Sequence, residues 1–350
     1  MDIQQKIGYD FIGNRKITFV ISLVIIVLGV GSILINGGLN FGIEFVGGTL
    51  VEVRFTEIPE VNDVRDAIDD AGFKEAVIQR LGNGEVVMIR VQQESESASA
   101  VGEDEGGQIT KALEAVFGAN SFVINRVWQV GPQVGSELRR SAQLALLFAI
   151  VGLVLYISWR FESKFALPVA IIAVITIGLS SWNVAISLII MLALIAVSVA
   201  CIVFDYHFAF AAIIALIHDV TITVGVFSLT DREITLPVVA ALLAIIGYSL
   251  NDTIVIFDRI RENIRLMGRK LPEQVLNVSI RQTLSRTILT SLTTLIVVLV
   301  LLFAGGHVIN SFAFALFIGV LTGTYSSIFI ATPLLFEWNN RSKGGIFRKV

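Results

Sequence analysis

Apolar runs long enough to cross a lipid bilayer constrain this chain more than any other feature. A helix needs ~20 apolar residues to span a hydrocarbon core ~30 Å thick. Such segments fall at 17–36, 142–159, 166–182, 184–204, 207–229, 234–257, 287–306 and 310–336. Only 16% of residues are charged against 55% hydrophobic, which excludes an ordinary soluble domain. The spacing predicts a polytopic α-helical membrane protein of about eight spans, the third and fourth forming a hairpin over 166–204. That hairpin has no Asp, Glu, Lys or Arg, and it turns at Ser180-Ser181-Trp182-Asn183. A weak repeat supports it: Phe161, Glu162, Phe165 and Ala166 recur as Phe204, Asp205, Phe208 and Ala209.

Charge sets the orientation. Lys6, Arg15 and Lys16 precede the first run, which is too long for a signal-peptide core and has no small-residue cleavage pattern after it. The segment 258–286 holds Arg259, Arg261, Arg265, Arg269, Lys270, Arg281 and Arg286, and the tail holds Arg341, Lys343, Arg348 and Lys349. The alternate loops are poor in positive charge, so both termini are expected in the cytoplasm. The expected order is a cytoplasmic N-terminus (1–16), a first span (17–36), an exported domain (37–138), and a second span with its link (139–165). The hairpin (166–204), two core spans (205–257), a cytoplasmic amphipathic link (258–286), two last spans (287–336) and a tail (337–350) come next.

The exported segment has a different grammar. Residues 37–137 carry a net charge of −10 against +7 for the rest. No basic cluster suits nucleic acid, which is excluded as a partner. Residues 49–55 alternate as a strand, with Val51, Val53 and Phe55 on one face. Val61, Val64 and Ile68 have helical spacing. Strands at 76–81 and 85–91, a helix at 108–117 and a strand at 121–130 complete a β-α-β-β-α-β order, that of a small α+β ferredoxin-like domain. The acidic stretch 92–107 is expected to be a loop. The glycines of 42–48 lack a phosphate cradle's Lys and strand-to-helix context, so tight turns explain them better. No catalytic constellation, cofactor site or metal site is expected, and the lone Cys201 is read as a small membrane-buried side chain.

Ionisable residues inside the spans are the candidate functional groups, because a buried charge is costly unless paired, protonated or hydrated. Asp252 lies about five residues inside its span, roughly 8 Å deep. Arg286 opens the next span from the same side, and an ion pair between them is expected when Asp252 is deprotonated. Asp219, preceded by His218, falls near the middle of 207–229. Ser249, Thr253, Thr287, Thr290 and Ser291 could line a wet path, although such hydroxyls often bond their own backbone. Plainer roles stay open: a helix contact for Asp252 and headgroup anchoring for Arg286. The run from Asp258 and Arg259 to Glu262 reads as an interfacial amphipathic helix.

The stretch GYSLNDTIVIFDRIRENIR, from Gly247 through Asn251, Asp252, Asp258 and Arg259 to Arg265, resembles the signature of the SecF subunits of the SecD–SecF translocation complex. GIEFVGGT from Gly42, VGPQVG from Val130, ALIHDV from Ala215 and SRTILTS from Ser285 resemble further motifs of that family, although Glu44 stands where Asp is usual. The resemblance implies a bacterial inner-membrane protein, related to resistance-nodulation-division transporters. Its implied partners are a SecD-like subunit, the SecYEG channel, translocating preproteins, membrane lipids and protons. It implies a proton-responsive carboxylate at Asp252 coupled to Arg286. Six spans are usual for the family, so the hairpin would be an insertion. Two rivals from other classes are a proton-coupled exporter of small molecules or lipids, and a passive membrane scaffold.

Overall fold

The computed structural model describes residues 9–73, 76–81, 84–91, 105–161, 186–267 and 272–341. The chain divides into two compact units: Phe41–Ala142, and the remainder on both sides of it. The helix α1 (Arg15–Ile35) precedes the first unit in the chain and belongs to the second.

In the first unit a single helical turn, α2 (Ile43–Val46), leads into β1 (Gly48–Phe55). Gly47 and Gly48 join them with φ of 83° and 122°, a region where a Cβ is strained. A side chain at Gly47 would also meet the Pro132 Cα at 3.0 Å. Next come α3 (Val61–Asp70), β2 (Val77–Leu81), β3 (Val86–Val91), α4 (Glu105–Phe117) and β4 (Phe122–Val130). The four strands pair antiparallel in the order β2-β3-β1-β4, with a bulge between Glu52 and Val53. Period-2 alternation in β1 sends Val51, Val53 and Phe55 onto the helices, where Val64, Ile68, Ile109 and Leu113 meet them in a dry core. The acidic stretch expected as a loop is shorter than its composition suggests. Residues 92–104 lie outside the described part, and 105–107 already form the first turn of α4, where Glu105 accepts a bond from the Thr49 hydroxyl.

The second unit is a helical bundle. Besides α1 it contains α6 (Ile186–Val203), α7 (His207–Leu229), α8 (Leu236–Met267), α9 (Pro272–Ala304) and α10 (Gly306–Ser326). The long α5 (Pro132–Phe161) begins just after β4 and carries the chain into this bundle. A π-helical turn, Ser327–Ala331, joins α10 to α11 (Thr332–Arg341).

Six helical segments among the described residues are long and apolar enough to span a membrane: Arg15–Ile35, Pro132–Phe161, His207–Leu229, Leu236–Met267, Pro272–Ala304 and Ile309–Asn339. The helix α6 is apolar but has only a short qualifying stretch, Leu192–Val203. The expected span at 166–182 lies outside the described residues. Residues 258–286 are helical almost throughout: α8 runs straight on to Met267, and α9 starts at Pro272.

Burial explains which faces meet. On α1 the fully buried positions are Thr18, Ser22 and Gly29, all small, while Ile17, Val20, Leu23, Val24, Val27 and Leu28 are exposed. That is the reverse of a soluble amphipathic helix and matches a span with lipid outside and close helix contacts inside. Gly29 meets Gly225 of α7, where a Cβ on either would lie 2.8 Å from the other's Cα. Beside Arg160 and Arg261, Phe161, Phe208 and Phe257 form an aromatic cluster with centroids 5.2–5.8 Å apart.

Candidate functional site

Polar groups concentrate where α1, α7, α8 and α10 meet. Asp219 is 0% exposed, and its Oδ2 accepts bonds from the Ser249 hydroxyl on α8 at 2.5 Å and the Ser326 hydroxyl on α10 at 2.8 Å. Its Oδ1 lies 2.9 Å from His218 Nδ1, and His218 Nε2 lies 3.0 Å from the Ser22 hydroxyl on α1. Ser22 donates to Tyr325 Oη at 3.2 Å, and Tyr325 donates to the Thr18 carbonyl at 2.9 Å. Each carboxylate oxygen thus has a partner, which is what a buried carboxyl requires.

The π turn shapes this cluster. The helical ladder widens to the π pattern directly after Ser326, so the adjacent Ser326 and Ser327 stand on either side of its start. Ser326 reaches Asp219, whereas Ser327 meets the Thr253 hydroxyl at 2.8 Å. Two adjacent serines therefore address α7 and α8.

Asp252 sits three residues after Ser249, and its side chain is turned toward α9 rather than into the Asp219 cluster. It is 4% exposed, its Oδ2 lacks a hydrogen-bond partner among the described residues, and Ser291 of α9 stands beside its carboxyl. Arg286 acts on it electrostatically, yet no ion pair joins them: Arg286 is exposed. The expected Asp252–Arg286 pair is absent from this conformation. Thr287 is buried on α9 with its hydroxyl unpartnered among the described residues, while Ser291 meets Thr324 at 2.6 Å.

The other motif residues go elsewhere. Gly247 and Asn251 are exposed one turn apart on α8. Asp258 pairs with Arg160 at 2.6 Å, and Arg259 with Glu262 at 2.8 Å. The structure thus unites His218 and Asp219 with Ser249, and leaves Asp252 in a separate, incompletely satisfied place. Ser22, Tyr325 and Ser326 complete the Asp219 cluster, and sequence patterning does not reveal them. Their only signals there are one hydroxyl in an apolar run and the polar string Thr322 to Ser327.

Asp219 and Asp252 both lie in a stretch that matches a known family. Two family models match: "Protein export membrane protein SecD/SecF, C-terminal" over residues 108–182 and 178–341, and "SecD/SecF GG Motif" over residues 32–57. A protein translocase subunit SecF of Calditerrivibrio nitroreducens is 40% identical over 336 residues, covering 95% of each chain. This chain belongs to the SecF family. The SecF of Desulfurispirillum indicum is 42% identical, covering 87% of this chain and 83% of that one. The SecF of Pseudomonas aeruginosa is 38% identical, covering 97% and 94%. A crystal structure of SecDF, a translocon-associated membrane protein from Thermus thermophilus, matches with a TM-score of 0.72 and 32% identity. The match covers 97% of this chain and 40% of that chain, so this chain spans well under half of the solved one. The family and the six apolar helices make it a multi-pass membrane protein.

Proposed function

We propose that this chain is the SecF half of a proton-driven export machine. In this reading it works beside a SecD-like subunit and the SecYEG channel in a bacterial inner membrane, with both termini in the cytoplasm. It uses the proton gradient to help move preproteins outward and carries out no covalent catalysis. The observation that carries the reading is Asp252, a carboxyl buried in an apolar bundle with an oxygen left without a partner among the described residues. A buried group of this kind is costly unless it exchanges protons or charge partners as part of its work.

Arg286 supplies the second partner. With Asp252 ionised, α8 and α9 are drawn together as the guanidinium closes on the carboxylate; with Asp252 protonated, the two part, as in the present arrangement. The exported domain, read as ferredoxin-like from its split β-α-β order and its β2-β3-β1-β4 sheet, would carry this change to the substrate. One charge crossing 100 mV supplies only ~2.3 kcal/mol, so more than one proton per power stroke is expected.

The test is gradient-dependent preprotein translocation in vesicles holding the channel, the SecD-like partner and this chain. Asp252→Asn at matched assembly is expected to lower the gradient-dependent component about tenfold or more while leaving ATP-driven movement intact. Equal rates in the variant and the wild type would reject the proton-driven reading and favour a passive scaffold.

A further inference from the structure

The hydrogens around His218 and Asp219 can be assigned one by one. Tyr325 commits its hydroxyl hydrogen to the Thr18 carbonyl, and Ser22 commits its own to Tyr325. The Ser22 oxygen can therefore only accept from His218, so Nε2 carries a hydrogen. On the carboxyl, Oδ2 already accepts from Ser249 and Ser326. The remaining contact, Nδ1 to Oδ1 at 2.9 Å, needs one hydrogen: two would collide, and none would set two lone pairs against each other.

We propose that His218 and Asp219 form a second proton-binding site, separate from Asp252, which holds one proton between Nδ1 and Oδ1. Loaded, the dyad is either a neutral acid beside a neutral imidazole or a carboxylate beside an imidazolium, and its net charge is zero in both forms. Unloaded, one proton leaves, the carboxylate stays with an Nε2–H imidazole, and the net charge becomes −1. Two facing lone pairs at that distance repel, so unloading pushes His218 and Asp219 apart. The push reaches α1 through Ser22 and the end of α10, just before the π turn, through Ser326. Among the described side chains, the helices packed on α7 bring Lys16 on α1, Tyr325 on α10, Tyr248 and Asp252 on α8, and Cys201 on α6. The remaining α8 charges, Asp258, Arg259, Arg261, Glu262 and Arg265, lie nine or more residues beyond Ser249, the α8 residue that meets Asp219. The charges Arg15 on α1 and Glu337 on α11 pair with each other at 2.6 Å. The dyad's use in transport rests on the proton-driven reading above; its binding of a proton does not.

The test is ¹⁵N NMR of the full chain, histidine-labelled, in lipid vesicles titrated with pH. The chain has three histidines, so His218→Gln assigns the signal. The expected result is an Nε2 that stays protonated and an Nδ1 signal that changes in one pH step. That step is lost in Asp219→Asn and kept in Asp252→Asn. A bare Nε2, or a step that survives Asp219→Asn, overturns the proposal. Should Asp219→Asn fail to insert, Ser22→Ala provides a second check. Losing the Nε2 acceptor is expected to bring in the other tautomer, and an unchanged Nε2–H signature overturns the assignment. A titrating dyad in vesicles whose translocation ignores the gradient would support the dyad while rejecting the proton-driven reading.

Discussion

At the level of single residues, short polar side chains decide how the buried groups are held. His218 and Asp219 are readable as a mid-span ionisable pair, because charge in an apolar run stands out in any sequence. Their partners are not: Ser22 and Ser326 are separated from them by long stretches of chain and look like any membrane hydroxyl. The Asp252–Arg286 pairing can be expected from matched depth, but side-chain direction decides contact, and depth alone does not fix it. Asp10, outside the spans, gives a testable pH effect. The Gly13 amide, and then Asn277, bond its carboxylate and hold its pKa below the usual value. A lowered pKa means the contribution is present above the ordinary carboxylate range near 4 and is lost as pH falls through the lowered value. Asp10→Asn is expected to speed hydrogen exchange of the Gly13 amide at neutral pH. The difference from wild type should vanish under strongly acidic conditions, and a difference that persists there would refute the assignment.

At the level of elements, the strands and helices of the sheet-bearing unit are legible because half-buried surfaces leave a period of 2 or 3.6. The one-turn α2 is not, since four residues carry no period and the glycines beside it look like a simple turn. Membrane helices hide their ends in the same way: α8 and α9 continue past their apolar parts as charged helix, which hydropathy reads as a link. The contact between α1 and α7 is the tightest test of packing. At Gly225 a Cβ would meet backbone, which cannot swing aside. Gly225→Ala is expected to destabilise the bundle by ~1–3 kcal/mol. Thermal unfolding of the detergent-solubilised chain would read this, and Gly31→Ala, where a Cβ meets open space, should be nearly silent.

At the level of the whole molecule, the two units have separate cores. The sheet-bearing one should therefore survive excision as a soluble fragment of residues 41–131. In it, Leu113→Ala, at a fully buried site, is expected to cost ~2–5 kcal/mol in denaturant unfolding. A fragment that shows no cooperative transition would argue against its independence. In the bundle, the π turn has a geometric effect on the last span. One added residue rotates the remainder of the helix by roughly 100° about its axis, since a turn takes 3.6 residues. Before the turn this span lies along α8 and α9; after it, Glu337 reaches Arg15 and Trp338 packs on His207 and Phe210 with centroids 5.3 and 4.5 Å away. A straight helix could not present both sets of side chains to those neighbours. The last span is in effect two rods set out of phase, so a twist applied at its C-terminal end need not arrive at the serines beside Asp219.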